Sequence, residues 1–251
     1  MPRPDAAPLA TAVAAAAQPT VLAGDRQLPV LEPLRDLLPT PGLRRGSVVT
    51  VQGSTSLALA LVAGPSAAGS WCAAVGLPTL GLAAAAELGV VLARFPLVAA
   101  PTEADEWAWA VAATLDAFDL VVAAGPARLG PAPARRLAAR VRRRSAVLVV
   151  AGAGEGTWPG AELHLAVVAR RWEGVGEGHG RLRARRVEVI ATGRGAASRP
   201  RRVALWLPGP DGSPARVAAP VRVVAPEAEP PGLGQPRPPG PEQEQARVAG
   251  G

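Results

Sequence analysis

Runs of strand length recur through the middle of the chain, and stretches of helical spacing separate them. The β-branched run 47–51 and the short runs 70–75 and 95–99 predict strands. The runs 120–124 and 146–151 are continuously apolar, which is typical of parallel strands that are covered on both faces. The stretches between them predict helices over 57–63, 82–88, 103–118 and 133–144, and a shorter amphipathic helix over 30–38 precedes them.

Thr102 precedes the third of these helices, and three acids, Glu103, Asp105 and Glu106, stand in its first turn. Threonine is a good N-cap, and carboxylates are favourable at the positive end of the helix dipole. The pattern therefore predicts a helix start at this point, with Thr102 as the cap.

Longer strands linked by glycine-rich turns are indicated in the last third of the chain, at 163–171, 183–191 and 203–207. No helical stretch separates them, which favours antiparallel pairing. The fold class predicted is α/β, with a mostly parallel sheet and an antiparallel C-terminal extension.

The domain organisation follows from where apolar residues are dense. Residues 30–225 hold enough of them for one core, whereas 1–29 are rich in Ala and Pro and 226–251 consist mostly of Pro, Gly, Glu and Gln. We expect one domain with a flexible N-terminal segment and a disordered C-terminal tail.

The basic residues are all arginine: 27 Arg and no Lys. Schiff-base chemistry and lysine-assisted phosphate binding are therefore excluded. One Cys and two His exclude an internal disulfide and favour no metal site, and no run reaches the roughly 18 apolar residues of a membrane span. The expectation is a cytoplasmic protein without a metal.

A strand, a glycine turn and a helix N-terminus make the usual cradle for a nucleotide phosphate. Here the turn reads Gly53, Ser54, Thr55, Ser56, which is shorter than a working phosphate loop and lacks its second Gly and its Lys. Strand 120–124, where a Mg²⁺-binding acid would stand, continues into Ala and Gly. The site is read as degenerate, with no catalytic residue and no bound cofactor.

The segments GLRRGSVVTVQGSTSLALAL, SWCAAVGLP, AAAAELGV, FPLVAAP and DLVVAAG resemble, in this order, the core of RecA recombinases. The resemblance covers roughly residues 34–207 and implies a RecA-like P-loop core. More specifically, the LRDLLP and GLRRGSVV opening and the segment RWEGVGEGHGRLRARRVEV at 171–189 resemble ImuA-type mutagenesis accessory proteins of actinobacteria.

This second resemblance implies a noncatalytic scaffold in DNA-damage-induced mutagenesis and translesion synthesis, as part of the SOS response. Its implied partners are an ImuB-like Y-family polymerase homologue and an error-prone replicative-type polymerase, with direct DNA contact and self-association left open. Two alternatives remain: a RecA-type ATPase in which Arg44 or Arg45 replaces the missing Lys, and a damage-induced inhibitor of cell division.

Charge is unevenly distributed, because the first half of the chain is net acidic and residues 125–222 are strongly basic. Two sets of arginines are candidates for DNA or partner contact. The first lies on one face of helix 133–144: Arg136, Arg140, Arg143 and Arg144. The second follows a strand, Arg181, Arg183, Arg185 and Arg186, and Arg199, Arg201 and Arg202 join it if the strands pair. A merely solvated surface is the alternative for both sets.

The remaining candidate residues are aromatic, His or Cys. Trp107 and Trp109 cannot face the same side of a helix, so one is expected in the core and one exposed. Trp71 and Trp206 are expected in the core, Trp158 in a loop, and Trp172 at the end of a strand. We expect His164 and His179 to be structural and Cys72 to be a small buried apolar residue.

Overall fold

The computed structural model describes residues 27–126, 129–152, 158–176 and 179–217. Nearly all of the segment predicted to be flexible, 1–29, and all of the tail predicted to be disordered, 226–251, lie outside these ranges. None of the helices in the described ranges is long and apolar enough to cross a membrane.

A nine-stranded sheet forms the centre of the fold. Its strands run in the spatial order β11-β10-β9-β8-β3-β7-β6-β4-β5. Their bounds in chain order are β3 Val48–Gln52, β4 Cys72–Val75, β5 Leu97–Val98, β6 Leu120–Ala124, β7 Val147–Ala151, β8 Leu163–Gly176, β9 His179–Gly193, β10 Arg201–Trp206 and β11 Ala215–Arg216. Six neighbouring strands are parallel to one another: β5, β4, β6, β7, β3 and β8. Strands β9, β10 and β11 extend the sheet beyond β8, each antiparallel to its neighbour. The mostly parallel sheet and its antiparallel extension are thus confirmed.

Four α-helices connect the parallel strands: α1 Thr55–Ala67, α2 Leu82–Glu87, α3 Ala104–Leu115 and α4 Pro131–Arg144. Short 3₁₀ helices span Glu32–Leu37, Leu92–Arg94 and Gly195–Ala197. Two further strands, β1 Gln27–Pro29 and β2 Gly42–Arg44, form a small antiparallel sheet of their own. The predicted helix over 30–38 is therefore a shorter 3₁₀ helix.

The sheet separates two cores because its central strands are apolar on both faces. On one face α1 packs with the N-terminal 3₁₀ helix and the inner side of β9 and β10. On the other face α3 and α4 cover β6 and β7. The strands with buried side chains on both faces are those whose runs are continuously apolar, as expected for parallel strands between two helical layers.

Helix α1 runs four residues past its predicted end and includes Pro65. Gly64 makes the packing of this segment possible, because an added Cβ there would lie 2.7 Å from both the Pro29 carbonyl oxygen and the Val30 Cα. The helix can approach the small N-terminal sheet this closely only with a glycine at this position.

Helix α3 begins differently from the prediction. Its N-cap is Glu103 and not Thr102, and no side chain caps the first turn. Asp105 and Glu106 do lie in that turn, so the favourable interaction with the helix dipole remains.

Candidate nucleic-acid interface

The connection from β3 to α1 consists of Gly53 and Ser54 alone. Gly53 has φ +79°, a left-handed conformation that favours glycine, and an added Cβ would lie 3.2 Å from the Val167 carbonyl oxygen. Helix α1 starts at Thr55 immediately afterwards. Strand, tight turn and helix are present as predicted, but the loop has no residues left over to wrap a phosphate chain.

The polar groups of this turn contact other parts of the protein. The Ser54 hydroxyl accepts a hydrogen bond from the Leu57 amide (3.2 Å) and one from the Arg185 guanidinium (3.2 Å). The Gly53 carbonyl accepts one from Arg170 (3.3 Å). Two polar groups of the turn, the Gly53 carbonyl and the Ser54 hydroxyl, therefore already have partners within the chain.

Arg44 and Arg45, the candidate replacements for the missing lysine, lie at the opposite end of β3. Arg45 binds Asp119 (2.8 Å) before β6, and Arg44 contacts Glu162 (3.3 Å) before β8. They precede the five-residue strand that Gly53 follows, a separation of about 17 Å. Neither guanidinium is placed at the turn.

Helix α4 carries the first arginine set, and half of it is neutralised. Asp116, just after α3, accepts hydrogen bonds from Arg140 and from Arg144 (2.8 Å each from their Nε). Burial by itself would raise the pKa of Asp116. The hydrogen bonds from the two arginines have the larger combined effect and lower the pKa below its ordinary value. Arg136 and Arg143 are exposed and have no ion pair within the described ranges.

The second arginine set lies on a long hairpin. Strand β8 pairs with β3 only over 163–166, and β9 pairs with β10 only over 186–191. The outer parts, 169–176 and 179–185, therefore extend beyond both neighbours as a two-stranded segment, which we call the basic ribbon. Irregularities at Val168 and Gly174 interrupt its register. Bulges of this kind bend a strand and increase its twist.

Arginines on the ribbon and at its base are exposed. Arg171 stands directly opposite Arg186 in the register, so two like charges face each other across the hairpin. Neither guanidinium has a hydrogen bond or ion pair in the part of the chain that the structure describes, and the same is true of Arg181 and Arg183. Glu173 is the exposed acid among the ribbon residues described. The ribbon therefore carries exposed arginines without ion pairs on both of its faces.

Arg185 differs from its neighbours because it is half-buried. It donates to the Leu207 carbonyl (2.8 Å) and to the Ser54 hydroxyl, and it lies over the Trp172 ring, 5.3 Å from the centroid. Burial, with a contribution from the charge of Arg170, lowers its pKa from the usual arginine value. Of the predicted contact residues, Arg185 is thus a structural anchor that ties the ribbon to the β3–α1 turn.

Arg199, Arg201 and Arg202 do not join this surface. Antiparallel pairing puts Arg201 opposite Ala191 and Trp206 opposite Arg186, so the start of β10 lies five residues along β9 from Arg186, about 17 Å away. Arg201 bonds to the Leu38 carbonyl, and Arg202 forms a two-pronged ion pair with Glu188. The predicted cluster is wrong in this part, because it required a register that the strands do not adopt.

The tryptophans divide into core and surface residues. Trp107 is buried and Trp109 is 73% exposed, which confirms the expected division. Trp158, in its loop, is buried and packs edge-on against Trp107, with 6.0 Å between ring centroids. Trp71 and Trp206 are only partly buried. Trp71 immediately precedes β4 and packs against the core under α3 and α4, whereas Trp206 is the last residue of β10.

Trp172 lies in the interior of β8, because the strand continues to Gly176 instead of ending at residue 171. The residue is 45% exposed. Sequence reasoning missed its contact with Arg185, because residues 170–175 (RRWEGV) carry no regular alternation that would extend the strand past residue 171. Trp172 and Arg185 lie on the opposite face of the ribbon from Arg171 and Arg186, because adjacent residues of a strand point to opposite faces.

His164 and Cys72 have the structural surroundings expected of them. The His164 ring nitrogen Nδ1 lies 2.7 Å from the Thr50 hydroxyl, and burial together with the charge of Arg194 lowers its pKa. Cys72 is fully buried in β4. The side chain of His179 lies outside the described part of the chain.

Comparison with known proteins gives similarity over the parallel half of the sheet. The family model for the MT3502 N-terminal domain matches residues 36–160. The chain is 38% identical over 135 residues to the uncharacterized protein Rv3395c of Mycobacterium tuberculosis. The aligned part is 52% of this chain and 63% of that protein, so the chain spans less than two thirds of its relative's length. The family match ends just before β8, and the basic ribbon therefore lies outside the region that relates this chain to the MT3502 N-terminal domain.

Proposed function

We propose that this chain is a noncatalytic accessory protein that binds single-stranded nucleic acid through its basic ribbon. From the resemblance to ImuA-type proteins we infer that it acts in damage-induced mutagenesis in the cytoplasm. In that setting the protein links an ImuB-like partner and an error-prone polymerase to DNA. A scaffold of this kind needs a binding surface and no reaction centre.

The observation that carries the proposal is the Arg171–Arg186 pair. Like charges directly opposite each other destabilise a strand pair, and neither guanidinium forms an ion pair within the described chain. The carboxylate whose pKa the charge of Arg186 helps to lower, Glu188, is itself paired with Arg202. Nucleic-acid phosphates would supply the missing negative charge, and each neutralised phosphate also releases counterions. Arg183 lies on the other face of the ribbon, with Trp172 and Arg185, because successive side chains of a strand point to opposite faces. Arg181 lies further toward the hairpin tip.

Trp172 supports a single strand as the ligand in preference to a duplex. An exposed aromatic ring offers a stacking platform for an unpaired base, worth about 1–3 kcal/mol per base. The Arg185 guanidinium holds the indole from one side and leaves it 45% exposed. Stacked bases and neighbouring cations are the combination by which proteins hold single strands without sequence preference.

The β3–α1 turn supports the absence of nucleotide hydrolysis. Two residues separate strand and helix, the Gly53 carbonyl and the Ser54 hydroxyl have partners in the chain, and β6 ends in alanines. We propose that the turn now serves to anchor the ribbon through Arg170 and Arg185, in place of holding a phosphate.

The test is fluorescence anisotropy with a 5′-labelled 30-nucleotide oligo(dT) at a series of salt concentrations. A variant with Arg171, Arg181, Arg183 and Arg186 changed to Ala removes the unpaired charges. We expect affinity for the unaltered chain that falls steeply with salt. In the variant, the slope of log K against log salt should shrink by about 0.7 for each lost phosphate contact.

The matched control changes four exposed arginines of α4, Arg135, Arg136, Arg142 and Arg143, to Ala. It removes the same total charge from a different surface and should leave most of the affinity in place. The proposal fails if the unaltered chain shows no salt-dependent binding, or if the control loses as much affinity as the ribbon variant. Saturable binding of a fluorescent ATP analogue with Mg²⁺ would contradict the noncatalytic assignment independently of the DNA result.

A further inference from the structure

A cavity of about 250 Å³ opens at the amino end of β3, at the other end of this strand from the β3–α1 turn. One wall comes from residues 38–49, which include β2, and the other from the start of β8 and the 3₁₀ helix Gly195–Ala197. The cavity therefore lies between the small N-terminal sheet and the main sheet. Its volume is large enough for two aliphatic side chains.

The floor of the cavity is apolar and its rim is basic. The buried apolar lining side chains are Leu38, Leu43, Val49, Leu163 and Ala197. The buried Ser47 also lines the cavity, and its hydroxyl donates to the Arg44 carbonyl (2.6 Å). Arg44 and Arg194 stand at the rim and are both exposed. Such a site suits an apolar segment that carries carboxylates beside its aliphatic side chains.

The rim charges are incompletely balanced. Glu162 is the acid among the lining residues, and its contact with Arg44 is long, 3.3 Å, between exposed side chains. The Arg194 guanidinium has no hydrogen bond or ion pair in the described ranges. Its charge also reaches inward, since it contributes to the lowered pKa of His164. A carboxylate at the rim would neutralise it.

The described chain ends close to this cavity. Arg216 in β11 forms ion pairs with Glu32 (2.9 Å) and Asp36 (2.7 Å) of the 3₁₀ helix that leads directly into Leu38 and Pro39 of the cavity wall. That helix is six residues long, about 12 Å. A segment that starts at residue 218 crosses this distance in four to five extended residues.

The sequence within that reach has the composition that the cavity requires. Residues 221–229 read Val-Arg-Val-Val-Ala-Pro-Glu-Ala-Glu. Two adjacent valines match an apolar floor, and Glu227 and Glu229 follow them at a spacing that suits two arginines at a rim. Because the segment is tethered, its effective concentration at the cavity is on the order of millimolar.

We propose that the cavity is a peptide-binding site whose occupant is residues 221–229 of the same chain, with Val223 and Val224 on the apolar floor and the two glutamates at Arg44 and Arg194. This inference is independent of the nucleic-acid function, because the site lies at the opposite end of β3 from the turn that anchors the ribbon. Docking fixes the start of the C-terminal segment against the domain.

Limited proteolysis of the full chain tests this directly, because the segment contains a trypsin site at Arg222 and a second site, Arg247, lies well beyond it. We expect the bond after Arg222 to be cut at least tenfold more slowly than the bond after Arg247, as followed by mass spectrometry. Changing Val223 and Val224 to Asp, or Arg44 and Arg194 to Ala, should remove most of that difference.

A variant with Arg135 and Arg136 changed to Ala, remote from the cavity, should retain the slow cleavage. Urea unfolding of each variant shows that the domain remains folded, so a faster cut reports undocking alone. Equal cleavage rates at the two sites in the unaltered chain overturn the proposal. Protection that disappears on dilution also overturns it, because the occupant is then the segment of a second copy.

Discussion

The Arg185 guanidinium lies over the indole of Trp172, 5.3 Å from the ring centroid, and joins the two strands of the ribbon through one cation–π contact. The same guanidinium binds the Ser54 hydroxyl and the Leu207 carbonyl. One side chain therefore connects the ribbon, the β3–α1 turn and the end of β10. The stability of the ribbon base and the orientation of Trp172 depend on it.

Changing Arg185 to Ala should lower the free energy of unfolding by about 1–2 kcal/mol, because it removes two hydrogen bonds from a charged donor and the ring contact. Urea denaturation measures the change. Arg185→Lys should not restore it, since one ammonium cannot reproduce the planar, forked donor set. Arg183→Ala, two residues away and exposed, is the control and should stay within about 0.5 kcal/mol of the unaltered chain. An equal loss in both variants would contradict the anchoring role.

Asp119 holds the amino ends of two strands together. Its carboxylate accepts from Arg45 (2.8 Å) and from the Trp71 amide (3.0 Å), and both charged side chains are largely buried. Asp119→Asn should reduce the free energy of unfolding by about 3 kcal/mol, because it leaves the Arg45 charge buried without its counterion. Guanidinium-induced unfolding gives the value. Asp211→Asn alters an exposed carboxylate that caps a turn and should cost far less; a similar loss there would refute the explanation.

Cys72 should be unreactive in the folded protein. Burial and the nearby charge of Asp119 raise the pKa of its thiol to about 12, although the charge of Arg94 acts in the opposite direction. The thiolate is the reactive form, so Ellman's reagent at pH 8 should label no thiol in the native chain and one after unfolding. Thr79→Cys provides an exposed thiol as the control and should react at once. Rapid reaction of the native chain would show that β4 opens readily.

Periodicity was sufficient to predict the parallel half of the fold. Strands such as 120–124 are apolar on both faces, and helix α4 has a clear apolar stripe of Leu137 and Val141, so each pattern allows one interpretation. Where contacts between distant residues decide the structure, the sequence was insufficient. The strand at Gly42–Arg44 is held by its register with β1 and carries no apolar alternation of its own.

The arginine surfaces show the same limit. Spacing correctly put Arg136, Arg140, Arg143 and Arg144 on one helix, but it gave no sign that Asp116, after the preceding helix, neutralises two of them. Similarly, alternation put Arg181, Arg183 and Arg185 along one strand without showing that Arg185 bonds across 131 residues to Ser54. Ion pairing depends on tertiary register, which residue spacing alone does not contain.

The Glu188–Arg202 pair should make part of the stability of the antiparallel extension depend on pH. Two hydrogen bonds from Arg202 (2.5 and 2.8 Å) outweigh the effect of burial and hold the pKa of Glu188 below its ordinary value. A lowered pKa in the folded state means that the stabilisation is complete above the unfolded pKa of about 4.3 and is lost as the pH falls through the folded value.

Both side chains are about one third exposed, so solvent screening limits the pair to about 0.5–1 kcal/mol. We expect Glu188→Gln to be less stable than the unaltered chain by this amount at pH 7, and we expect the difference to shrink as the pH falls through the lowered pKa of Glu188. Urea unfolding of both proteins across this range measures the difference. Glu87→Gln, which changes an exposed carboxylate at the end of α2, is the control for the general effect of pH. A Glu188 difference that grows as the pH falls would have the wrong sign and would refute the pairing.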